Sequence, residues 1–170
     1  MPKVSLWAVL AVAAVLRTGD VLGQETAAQD HSIVLEVGGA GEWKLTKGPY
    51  NFGGTLAFEV EPIENWLELE LGMTALFSGG RTELGADLLF KKPWRLSPKV
   101  EFMAGLGPQL VHRFAKEERG TSFGLEVVLD FMFWPAKNVG WYVEPSYGVT
   151  FGRNGERSLG ATAGLLIGWP

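Results

Sequence analysis

From Ile33 to the C-terminus, apolar side chains recur at every second position. A strand satisfies a period of two, because successive side chains point to opposite faces; a helix, with its period of 3.6, does not. The segment Thr121 to Trp134 carries the pattern most clearly. Phe123, Leu125, Val127, Leu129, Phe131 and Phe133 share one face, and Ser122, Gly124, Glu126, Val128, Asp130 and Met132 share the other. The pattern predicts eight strands: Ile33–Lys44, Tyr50–Glu61, Trp66–Phe77, Arg81–Lys91, Lys99–Phe114, Thr121–Trp134, Gly140–Phe151 and Ser158–Trp169. They are longer than ordinary globular strands, and a tilted strand needs ~9–11 residues to cross a bilayer. The links between them are short and rich in Gly and Pro, as in Ser78-Gly79-Gly80 and Pro93 to Pro98. Short links imply an antiparallel up-and-down meander, and an even number of strands can close into a barrel with no free edge.

Alternation alone does not say which face points outward. A membrane barrel and a soluble lipocalin-like barrel place the apolar face on opposite sides. Two features favour the membrane arrangement. The polar face is rich in small residues, as in Ser158, Gly160, Thr162, Gly164 and Gly168, which suit a crowded lumen better than a wetted wall. Glycine totals 23 and tryptophan seven. The aromatics gather at strand ends: Trp66, Trp94, Trp134, Trp141 and Trp169 towards one rim, and Trp43, Tyr50, Phe52, Phe77, Phe114, Phe123 and Phe151 towards the other. Two aromatic girdles match the two interfaces of a bilayer.

The N-terminus reads as a secretory signal. Lys3 precedes an apolar run from Val4 to Leu16, too short for a spanning helix, and Val21-Leu22-Gly23 offers a cleavage site before Gln24. The expected organisation is a signal peptide over 1–23, a short segment over 24–32 and a barrel over 33–170. The chain has no cysteine, which rules out disulfides, Cys-based metal sites and a lipid-modified N-terminal cysteine. A net charge of −4, with acids and bases mixed, argues against nucleic acid as a partner.

With these features the chain resembles the small eight-stranded outer-membrane barrels of the OmpA-like class. Leu165, Ile167 and Trp169 resemble the alternating C-terminal signal read by the barrel-assembly machinery, although Pro170 follows the aromatic residue that normally ends such chains. The resemblance implies the outer membrane of a Gram-negative-type bacterium, contact with its lipid, and both termini in the periplasm.

An inward polar face puts Glu36, Glu59, Glu68, Glu70, Glu83, Asp87, Glu101, Glu126, Asp130 and Glu144 in the lumen, with Lys44, Arg81, Lys91, Lys99 and Arg113. Eight strands enclose a lumen that side chains fill, so these charges must pair or take up protons. The expectation is a polar plug, with limited passage of small solutes or cations as the functional variant. Some outer-membrane barrels are acyltransferases or deacylases that use His with Ser and an acid. Here only His31 and His112 are available, and a histidine without an orienting partner is not a triad. No phosphate loop, metal-ligand spacing or nucleotide fingerprint is present, and no cofactor is expected. The leading function is a non-enzymatic barrel; alternatives are a barrel that binds an apolar ligand and, third, a lipid-modifying enzyme. Pro108 and Pro145 fall within strands and predict bulges or kinks.

Overall fold

The computed structural model describes residues 31–46, 50–114, 119–152 and 155–170. The expected signal peptide, 1–23, lies outside the described residues, as does all but His31 and Ser32 of the segment 24–32. Eight strands follow in order: β1 (Ile33–Lys44), β2 (Tyr50–Ile63), β3 (Leu67–Ser78), β4 (Arg81–Ser97), β5 (Val100–Phe114), β6 (Gly120–Phe133), β7 (Val139–Thr150) and β8 (Arg157–Trp169). Each pairs antiparallel with the next, and β1 pairs with β8, from Ile33↔Trp169 to Lys44↔Ser158, so the barrel is closed.

The apolar positions face outward. Leu125, Val127 and Leu129 are exposed together with Leu56, Phe58, Leu71, Leu84, Leu106 and Leu165, while Asp130, Glu59 and Glu36 are buried. An exterior of this kind is the surface a bilayer covers. It displaces the lipocalin-like arrangement, in which these positions would face inward.

The strands end where the turn chemistry requires. Between β3 and β4, Gly79 and Gly80 both have positive φ (52° and 84°), and Ser78 pairs with Arg81. Such a two-residue turn suits glycine at both central positions. Strand β4 runs six residues past Lys91, through a stretch that reads as a turn in the sequence. Beyond Glu68↔Lys91, β4 has only β5 as a neighbour, with Pro93 opposite Met103. A missing donor on the unpaired side removes no rung, so proline is tolerated there.

Pro108 and Pro145 interrupt their ladders without the expected bulge. At Pro108 and Pro145 the ladders lose rungs but keep register: Asp87↔Gln109 resumes as Phe90↔Leu106, and Val128↔Ser146 as Phe131↔Val143. Neither is a bulge. Both prolines lie on the outward face, where the ring displaces no lumen side chain. The register shifts occur instead near the rim that carries the termini, at Val60/Ile63 and Arg95/Ser97.

Candidate functional site

The lumen is filled in three tiers. Nearest the termini, Val34, Met103, Met132, Trp134, Tyr142 and Leu166 form a buried apolar cluster. His31 packs beneath it. Its ring stacks on Trp134 with centroids 4.2 Å apart, and its Nε2 donates to the Lys137 carbonyl at 2.6 Å. Asn138 ties the same rim to β8, its amide donating to the Gly168 carbonyl at 2.7 Å.

The middle tier is built on Lys91, which is fully buried. Its ammonium donates to Glu59 at 2.9 Å and Asp130 at 3.0 Å, lies 2.9 Å from Glu144, and also pairs with Glu70. These carboxylates come from β2, β6, β7 and β3, so one cation ties together strands on opposite walls. A glycine makes room for it: a Cβ at Gly105 would lie 2.7 Å from Lys91 Cγ. Glu36, from β1, is a fifth buried carboxylate. One oxygen each of Glu36, Glu59 and Glu70 lies within 4.8 Å of the others. Oε1 of Glu36 and Oε2 of Glu59 are buried with no hydrogen-bond partner in the protein.

The third tier lies towards the far rim. A cavity of about 80 Å³ has a mixed lining, polar at Glu42, Asp87, Gln109 and Glu126 and apolar at Leu76 and Val111, among others. Beyond it, Lys44 pairs with Glu83 and, at 3.4 Å, with Glu156; Arg113 pairs with the same two acids. Glu42 lies 4.0 Å from Lys44 and accepts a hydrogen bond from Asn51 at 3.1 Å.

Of the residues expected in the lumen, the structure thus gathers Glu36, Glu59, Glu70, Asp130 and Glu144 around Lys91. Glu68 is buried on the same face, register-opposite Lys91. Glu83 and Arg113 stand at the mouth, and Asp87 and Glu126 line the cavity. Glu101 is half-buried, opposite Arg95. Arg81 and Lys99 are not in the lumen. Both are exposed, because Arg81 directly follows the Gly79-Gly80 turn and Lys99 lies in the β4–β5 link. Two mouth residues were missed. Glu42 shares the β1 face of Glu36 and Lys44, so parity could have found it. Glu156 precedes β8, where periodicity gives no signal.

Trp134 is also displaced from its expected place. It is 5% exposed and belongs to the inner cluster, not to an aromatic girdle. Its parity with Asp130 and Met132 turns it inward. Trp43, Trp66, Trp141 and Trp169 are exposed, and Trp94 is half-buried against Phe102. His112 shares a 2.7 Å hydrogen bond with Thr121 Oγ1 and packs edge-on against Phe114 on the outward face.

No family model and no curated protein matches the chain. Among solved structures it is similar to Neisserial surface protein A, with a TM-score of 0.64 at 13% identity, covering 81% of this chain and 96% of that one. The outer membrane protein OprG from Pseudomonas aeruginosa gives 0.59 at 12% identity, covering 84% and 99%. The chain has the fold of a small outer-membrane β-barrel. A de novo designed transmembrane β-barrel is similar as well, with a TM-score of 0.55 at 11% identity over 82% of this chain and 98% of that one. Strand pattern and closure therefore account for the likeness without a shared function.

Proposed function

We propose that the protein is a non-enzymatic outer-membrane barrel with a plugged lumen, a structural element of the membrane that passes at most protons or very small solutes. The observation that carries this reading is the series of three tiers. The apolar cluster offers a hydrated ion no polar partner, and the Lys91 cluster ties five strands together above it. In this reading the lipid of the outer membrane surrounds the apolar exterior, the barrel-assembly machinery inserts the chain, and residues 1–23 are removed on export. The rim with the termini is periplasmic, and the far rim with the Lys44–Arg113 network faces outside. The cavity beneath that network is small and carries several carboxylates and hydroxyls among its apolar lining, which favours water or a small polar solute over a bulky apolar ligand.

Planar-bilayer recording of the refolded chain tests the proposal. The expected traces are closed or show very small conductance. Large stable openings of the porin kind would sink it, because a wide aqueous path needs many more than eight strands.

A further inference from the structure

Five buried carboxylates surround one buried ammonium in the middle tier. A deficit of positive charge of that size cannot persist in a lumen wrapped by hydrocarbon, since uncompensated buried charge is strongly destabilising. The geometry shows where compensation belongs. Lys91 engages Glu59, Glu70, Asp130 and Glu144 but makes no ion pair with Glu36. Glu36 is 2% exposed, its Oε1 has no hydrogen-bond partner, and one of its carboxylate oxygens lies within 4.8 Å of an oxygen of Glu59 and of Glu70. Glu59 divides its carboxylate: Oε1 receives the Lys91 hydrogen bond, and Oε2 is unpartnered.

We infer that Glu36, Glu59 and Glu70 form a buried site for a hard divalent cation of calcium size, held beside the Lys91 ammonium. Carboxylate oxygens are hard donors, and calcium accepts them at about 2.3–2.6 Å in irregular arrangements. Two oxygens on opposite sides of such an ion stand roughly 4.8 Å apart by that bond length, and the three donors lie within 4.8 Å of one another. Magnesium fits less well, because it demands a tighter octahedron and keeps its waters. No sequence motif announces the site, since the ligands come from three strands. Apolar side chains close the terminal side of the cluster, and the cavity lies on its other side.

The test refolds the full chain into phosphatidylcholine vesicles with Ca²⁺, removes external ion with a chelator, and measures retained calcium per folded barrel. Heat-modifiability on a gel gives the folded fraction. The unaltered chain is expected to retain about one Ca²⁺, as one cluster of hard donors predicts. Glu36→Gln is expected to lose it, and Lys99→Gln, at an exposed position of the β4–β5 link, to keep it. If Glu36→Gln does not fold, Glu70→Gln removes another ligand and is read in the same way. An unaltered barrel without calcium, as when protons alone neutralise the cluster, overturns the inference. So does a ligand variant that retains as much calcium as the unaltered chain.

Discussion

Removing the Lys91 ammonium takes from Glu59, Glu70, Asp130 and Glu144 the one side-chain cation that pairs with all four. Breaking a buried ion pair by deleting one partner typically costs about 3–5 kcal/mol. Lys91→Met is therefore expected to destabilise the barrel by about that much in urea unfolding from lipid vesicles. Lys99→Met, at an exposed turn position, should stay within about 0.5 kcal/mol of the parent. Equal stability of the two variants would refute the account of the middle tier. Trp134 and Trp141 offer a second contrast. The first is 5% exposed inside the barrel and the second 45% exposed on its wall. Trp134→Ala should cost about 3–5 kcal/mol, as large buried aromatics do, and Trp141→Ala clearly less in the same titration. At this scale the sequence was informative wherever parity applied. Asp130 and Glu36 could be turned inward by counting in twos, and the same count should have turned Trp134 inward too. Parity says nothing about Arg81, Lys99 and Glu156, because the period lapses in turns.

The strands carry the distinction between lipid and lumen. On β6, Val127 is exposed while Asp130 is fully buried, and Glu126, next to Val127, lies on the lumen face. An Arg on the lipid face near the midplane costs roughly 2–4 kcal/mol, so Val127→Arg should impair insertion by about that amount. Stability alone does not identify the medium outside, and accessibility does. A cysteine introduced at Val127, in a chain that has no other, should resist a water-soluble thiol reagent and be quenched by a lipid-borne spin label. A cysteine at Glu126 should escape that label. Absence of lipid quenching at position 127 would contradict the outward assignment. Strand number, order and pairing followed from alternation and turn residues, because both are local properties. The extension of β4 to Ser97 did not, since whether a proline breaks a strand depends on which neighbour occupies its donor side. The unshifted ladders at Pro108 and Pro145 escaped the sequence for the same reason.

Across the molecule the interior grades from apolar at one end, through a buried ionic centre, to a cavity of mixed lining and a surface ion network at the other. Obstructions in series are limited by the tightest, so opening one tier alone does not open a pore. Trp134→Ala is accordingly expected to lower stability and still give closed traces in planar bilayers. Sustained conductance from that variant would show that the Lys91 cluster does not seal. The identity of the lumen face was legible in the sequence. Its subdivision was not, because tiers are set by register between strands: Lys91 meets Glu70 and Asp130 only once β3, β4 and β6 are aligned.

The pairing of β1 with β8 also constrains how the protein comes into being. Ile33 lies opposite Trp169, so the final rungs join residues from almost opposite ends of the chain. Contacts so distant in sequence form slowly, because a long loop must close before they give any return. Until β8 has been delivered, β1 waits with one flank of amides and carbonyls unpaired, a template on which a stranger's strand could grow. The newborn chain's vulnerable period therefore ends only when its last strand docks against its first.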